Sequence, residues 1–261
     1  MITNIIMENN MDIQAYNRDK WNKQVESGNP WTIPVLPEVI AAARRGEWSV
    51  LLTEKRCVPR NWFPDSLVGI DLLGLACGGG QQGPVFAALG ARVTIFDNSP
   101  RQLERDQEVA AREGLMINTV EGDMRDLSMF ADESFDLVFH PVSNCFIHEV
   151  RPVWKEAFRV LRRKGTLLAG FNNPATFVFD WHKAEQGILE VRYKLPFDSR
   201  TLTPAEMYNE FGDDTPIEFS HSLEDQIGGQ LDAGFLLTGL YEDTSNDLIG
   251  QYMPHYIATR A

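Results

Sequence analysis

Between residues 66 and 171 the hydrophobic and polar positions fall into a repeating order of short apolar runs and amphipathic stretches. Residues 67–75 form an apolar run interrupted by Asp71, the pattern of a central strand covered on both faces. Gly78-Gly79-Gly80 follows, then a short helix over 84–89 that is apolar all round and closed by Gly90. A second strand over 92–96 ends at Asp97. Ser99-Pro100-Arg101-Gln102 reads as a capping box with proline at the first helical position, opening a helix that runs to Glu113 and stops at Gly114. A third strand, 117–120, ends at Gly122-Asp123-Met124, and Asp132-Glu133-Ser134 turns into a fourth, 135–139. The helix predicted over 152–163 carries Val153, Ala157, Val160 and Leu161 on one face, with Arg162, Arg163 and Lys164 complementing its dipole. Lys164-Gly165 then leads into a fifth strand, 166–171. Strands alternating with helices over short connections call for a parallel sheet between helical layers.

The rhythm breaks at Asn172. Residues 188–195 alternate (Leu189, Val191, Tyr193, Leu195), as a partly exposed strand would, a loop runs to Pro216, and 218–221 reads as another short strand. This stretch, about 175–221, is expected to be an inserted cap. A helix over 223–231, closed near Gly234, and strands over 235–241 and 256–260 complete the pattern. At the other end, the first dozen residues are polar and expected to be loose, and residues 16–63 are rich in Trp and Pro with one helix over 37–47. The organisation predicted is an extension or lid, 1–65, packed on a main domain, 66–261.

Composition narrows the function. With 37 acidic against 24 basic residues the net charge is −13, which works against phosphate-rich partners, so no nucleic acid is expected. No apolar run approaches the roughly 20 residues that span a bilayer, and the first residues lack the basic lead of a secretory signal. A cytoplasmic protein with no membrane partner, monomer or homodimer, acting on a small molecule is the expectation. Cys57, Cys77 and Cys145 are scattered and odd in number, which predicts reduced, mostly buried thiols, and no metal-ligand spacing is present.

The chemistry concentrates in the glycine run. A glycine-rich turn between a buried strand and a helix lets a ligand approach the backbone, and the helix N-terminus favours negative charge. Gly78-x-Gly80-x-x-Gly83 with Asp97 downstream satisfies a dinucleotide pattern, and taken alone it does not separate NAD from S-adenosylmethionine. Asp97 at the end of the second strand, Asp123-Met124 after the third and the 135–141 segment add to it. With them the chain resembles the class I S-adenosylmethionine-dependent methyltransferases over 67–171, with the closing helix and two strands also in place.

That resemblance implies a Rossmann-like, seven-stranded, mostly parallel α/β sheet with helices on both faces. It also implies S-adenosylmethionine as cofactor. Ala76, Cys77, Gly78, Gly80 and Gln82 would lie under its methionine part, Asp97, with Asn98 beside it, at the ribose, Asp123 and Met124 at the adenine, and His140 where the fourth strand faces the transferable methyl. Two positions depart from the family: its first-strand acid falls on Gly74 and its first glycine on Ala76, while Asp71 comes three residues too early to substitute. The cofactor's ammonium is then expected to meet backbone carbonyls or a group from the N-terminal segment. Two other readings stand beside this one, an NAD-dependent oxidoreductase and a non-catalytic adenosyl-binding module.

Methyl transfer from a sulfonium needs alignment above all, and a general base only where the acceptor starts protonated. His140, at the predicted end of the fourth strand, is the candidate base. Ser143, Asn144 and His148 are candidates for the acceptor pocket, with His182 and His221 flanking it. Trp21 and Trp31 are candidate lid aromatics, with Asn29 and Thr32 as polar contacts, and Trp62 is a further tryptophan of this segment that stands out.

Overall fold

Five parallel strands, β1 (Asp71–Leu75), β2 (Arg92–Asp97), β3 (Ile117–Glu121), β4 (Phe135–His140) and β5 (Leu161–Asn172), are joined at one edge by β6 (Gly239–Asp243) and β7 (Tyr256–Arg260). The sheet order is β3-β2-β1-β4-β5-β7-β6, and β7 alone runs antiparallel to its neighbours. The computed structural model describes residues 11–261, so the loose lead expected over the first dozen residues lies, up to residue 10, outside them. No described helix is long and apolar enough to cross a membrane.

Alternation along each strand sends side chains into two cores. Leu72, Val93, Ile95 and Phe139 point to one, where α2 (Pro37–Arg44), α3 (Gln82–Ala88) and α4 (Pro100–Glu113) pack with Trp62 and Phe63. Leu73, Leu75, Phe96 and Val138 point to the other, against α5 (Arg151–Val160) and Phe235. Each interior β1 leucine is fully buried, and burial of such a side chain stabilises by roughly 1.5–3 kcal/mol. The strand order reverses between β1 and β4, the switch point where open α/β sheets bind ligands.

Several expected boundaries move. The helix before β5 stops at Val160 and not at residue 163. Glu133 and Ser134 donate their backbone N–H groups to the Arg159 and Val160 carbonyls, and Leu161 pairs with Phe135. Arg162 therefore belongs to the strand, and its guanidinium sits 2.8 Å from both Asp71 and Asp136. Arg159 is the cation that closes the helix, bonding the Leu127 and Phe130 carbonyls. Residues 188–195 and 218–221 form no strand; each contributes one isolated bridge, Phe179–Val191 and Asp198–Phe219. Between β5 and β6 the chain instead carries α6 (Trp181–Glu185), α7 (Pro204–Phe211) and, after a π-helical turn, α8 (Gly229–Ala233). The last strand pair begins at Gly239, four residues later than expected. Cys57 is exposed, while Cys77 and Cys145 are buried, and all three are free.

A helix that the hydrophobic pattern does not announce, α1 (Ile13–Ser27), packs across α4. Asp12 caps its start, accepting from Ala15 N at 3.0 Å, and Gly28 closes it at φ 75°. Its hold on the protein is polar. Asn17 donates to the Phe146 and Ile217 carbonyls at 2.8 and 3.0 Å and accepts from Ile217 N at 2.7 Å. Lys20 and Lys23 both reach Asp214.

Candidate active site

The turn after β1 is shaped by close approach on every side. Ala76 sits at φ 47°, in the left-handed region where the related motif carries glycine. Gly74 faces no space: a Cβ there would stand 2.6 Å from Ile95 Cδ1, so the acid expected by family resemblance does not fit. Asp71 cannot stand in for it, since it lies at the opposite end of β1, paired with Arg92 and Arg162. A Cβ on Gly78 would meet Gln102 Cβ at 2.7 Å, one on Gly79 the Trp31 carbonyl at 2.8 Å, and one on Gly80 the Arg105 carbonyl at 2.7 Å.

The loop amides are held by two carboxylates. Asp97, at the end of β2, accepts from Gly78 N and Ser99 N, both at 2.9 Å. Burial raises the Asp97 carboxyl above its ordinary range, against the lowering effect of those N–H groups. Asp106, on the buried side of α4, accepts from Gly79 N at 3.0 Å and Gly80 N at 3.1 Å. Desolvation, partly offset by the Gly80 amide, pushes Asp106 up to about 8. Its other oxygen has no partner, and neither does Gln102 Oε1 one helical turn before it. The reciprocal half of the expected capping box is thus missing: Ser99 accepts from Gln102 N, but the Ser99 amide goes to Asp97.

A cavity of about 540 Å³ opens beside this loop, within the size range of small-molecule sites. Of the candidate cofactor positions, Ala76, Cys77, Gly78, Gln82, Asp97, Asn98, Asp123 and Met124 line this cavity, and Gly80 does not. Asn98 donates to the Gln14 carbonyl at 2.9 Å, which ties this wall to α1. Cys77 is buried, and desolvation keeps its thiol protonated well above the usual range. Asp123 is already engaged: Arg125 forks over it, with Nε 3.0 Å from both oxygens. Trp21, Trp31 and Asn29 form the roof, Trp21 meeting Phe146 edge-on at 5.1 Å, while Thr32 is buried beside it. Ser143 and His148 face the cavity.

His140 is not placed to act as a base. It is fully buried and does not line the cavity. Its Nδ1 donates to the Leu75 carbonyl, and its Nε2 lies 2.8 Å from the Asn144 amide. Burial lowers its pKa, so the ring is neutral. Asn144, also fully buried, continues this chain to Gln226 and is likewise absent from the cavity wall. His221 donates to the Asn144 and Ile147 carbonyls, and His182 bonds Gln186; neither faces the cavity.

Other lining residues escaped the sequence reading. Residues 53–54, Phe177, Trp181, Glu185, Glu210, Glu218 and Tyr256 wall the part away from the glycine loop. Glu210 is satisfied within the cap by Arg192, Tyr193 and two backbone amides. Asp106 was missed because it reads as one more polar position on α4. A capping signal, Thr203-Pro204-Ala205-Glu206, could have found α7. No cluster suited to a metal occurs among the described residues.

A family model described as a methyltransferase domain matches residues 73–169, the segment that carries β1 to β5 and the loop. The uncharacterized methyltransferase YbaJ of Bacillus subtilis is 49% identical over 248 residues, spanning 95% of this chain and 97% of that protein. The crystal structure of an S-adenosylmethionine-dependent methyltransferase from Mesorhizobium loti superposes with a TM-score of 0.57 at 16% identity, covering 77% of this chain and 94% of that one. One from Listeria monocytogenes gives 0.56 at 17%, covering 84% and 97%. The sheet order, the loop at the switch point and the full-length relative agree, and the chain belongs to the class I S-adenosylmethionine-dependent methyltransferases.

Proposed function

We propose that this methyltransferase binds S-adenosylmethionine along the wall formed by Ala76, Cys77, Gly78, Gln82, Asp97, Asn98 and Met124, and methylates a small molecule held in the remainder of the same cavity. One observation carries the reading: loop, strand-end and cap residues all line a single cavity at the switch point of the sheet. The residues suit the cofactor's parts. A half-buried Asp97 carboxylate offers acceptors to ribose hydroxyls, and Met124 offers an apolar face to a purine. The cofactor supplies an activated methyl on a sulfonium, and the thioether keeps the bonding pair when the methyl leaves.

The protein's own contribution is alignment and exclusion of water, which can supply several kcal/mol of the barrier reduction. The roof from α1 and Trp31, bolted down through Asn17 and Asn98, serves the exclusion. His140 positions the end of β1 by holding the Leu75 carbonyl and takes no part in proton transfer. The test is a ligand panel read by thermal unfolding and calorimetry. S-adenosylhomocysteine should raise the Tm and NAD should not; no shift with S-adenosylhomocysteine refutes the proposal. Formation of S-adenosylhomocysteine in the presence of a metabolite pool separates an enzyme from a mere binder.

A further inference from the structure

We propose that the methyl acceptor is an amine carried on an apolar body, and that Glu218 is the group that receives its ammonium and takes its proton. The inference rests on the cofactor assignment above and names the acceptor class for that same cavity. Glu218 follows Ile217, which α1 clamps through Asn17, and its backbone is fixed further by Ser199. The side chain is therefore held at the cavity wall, yet its carboxylate has no hydrogen-bond or ion-pair partner among the described residues. Charged groups enclosed in proteins are ordinarily paired. One that faces a cavity without a partner is matched by something the cavity takes in.

The rest of the wall says what sign that partner has. Of the described residues lining the cavity, Glu54, Asp97, Asp123, Glu185, Glu210 and Glu218 are acidic, whereas Arg125 is the one strong base and is committed to Asp123. An acceptor bearing a carboxylate or phosphate would meet no free cation there. Phe177, Trp181, Phe211 and Tyr256 supply apolar and aromatic surface on the same part of the wall, which suits an apolar body and a cation over ring faces. Tyr256 donates its hydroxyl to Glu54, also on this wall.

An ammonium has no lone pair and cannot attack a methyl group. Glu218 resolves this: one N–H bond breaks with its electron pair left on nitrogen, and the proton passes to a Glu218 oxygen, leaving a neutral amine beside a neutral acid. Desolvation holds this carboxyl at about 7, so it is mostly ionised when an ammonium arrives at mildly alkaline pH and basic enough to share the proton.

The experiment is calorimetry on the protein saturated with S-adenosylhomocysteine. The probes are 2-phenylethylamine, tryptamine and their N-methyl derivatives, with 3-phenylpropionate and indole-3-propionate as carboxylate counterparts. The amines should bind and the carboxylates should not. Amine affinity should fall as pH drops below 7, approaching tenfold per pH unit, because the protonated acid no longer attracts an ammonium. Glu218→Gln should weaken the amines at least tenfold and flatten that pH dependence, with Glu218→Asp recovering part of both, while S-adenosylhomocysteine affinity stays within threefold. Carboxylates binding as well as amines, no amine binding, or an unchanged amine affinity in Glu218→Gln overturns the assignment. A Glu218→Gln protein that loses S-adenosylhomocysteine places this residue on the cofactor and equally overturns it. Failure of the wild type to bind S-adenosylhomocysteine would instead overturn the cofactor reading, and this inference with it.

Discussion

Asp106 allows the sharpest test, because its burial has a calculable consequence for stability. It is fully buried on α4, accepts the Gly79 and Gly80 amides with one oxygen, and leaves the other without a partner. Desolvation holds the carboxyl at about 8 against 3.8 in the unfolded chain. The native state therefore keeps a proton that the unfolded chain releases from about pH 4 upward. Stability must fall as pH rises from 4 to 8, and the loss levels off above 8. Between pH 4 and pH 7 about three pH units of this window are crossed, and at roughly 1.4 kcal/mol per unit the ceiling at pH 7 is about 4 kcal/mol. Asp106→Asn keeps an amide oxygen for both glycines and removes the titration. Urea unfolding at half-unit pH steps should show the variant equal to wild type at pH 4. By pH 7 the variant should be more stable by about 2–4 kcal/mol, with affinity for S-adenosylhomocysteine unchanged. Parallel stability profiles for the two proteins would refute the argument.

Two further predictions concern residues that hold the site from behind. His140→Phe should cost about 2–4 kcal/mol, since it strands the Leu75 carbonyl and the Asn144 amide in the core. Its methyl-transfer rate per folded molecule should remain within about threefold of wild type, where loss of a general base costs 10²–10⁴-fold. Because a His buried neutral resists protonation that the unfolded chain accepts below pH 6.5, the variant should also lose stability less steeply toward acid. Asn17→Ala removes three hydrogen bonds between α1 and the segments at 146 and 217. Hydrogen exchange should show α1 opening at least tenfold more often, with S-adenosylhomocysteine bound about tenfold more weakly; protection unchanged in both forms would show that α1 does not close the cavity.

The parallel half of the sheet was legible because each buried strand is a compact apolar run bounded by Gly, Asp or Pro, as at Leu72–Leu75 and Val93–Phe96. The cap and the roof were not. α1 has a weakly segregated apolar face, and what holds it are Asn17 bonds to residues 129 and 200 positions away, a kind of stabilisation that leaves no period in the sequence. The strand expected over 188–195 failed because Arg192 and Tyr193 turn inward to Glu210, Asp180 and Glu206, so alternation there records a polar network and not a sheet face. His140 misled for a related reason. Position at a strand end brings a residue close to the cavity, but which way the side chain turns is decided by the Leu75 carbonyl and Asn144.

The glycine run carries a different meaning from the one its pattern first suggests. In a dinucleotide fold such glycines free backbone N–H groups for a pyrophosphate. Here the N–H groups of Gly78, Gly79 and Gly80 already donate to Asp97 and Asp106, and the missing Cβ atoms make room for Gln102, the Trp31 carbonyl and the Arg105 carbonyl. An incoming pyrophosphate would have to displace buried carboxyl groups and would find, among the described residues of the wall, Arg125 as the one strong base, already paired. The loop is thus built for helix α4 and the roof segment to close against the end of β1, leaving Asp97 at the wall of an acidic cavity. A cofactor that carries a sulfonium and an ammonium satisfies that field, and a doubly anionic dinucleotide opposes it.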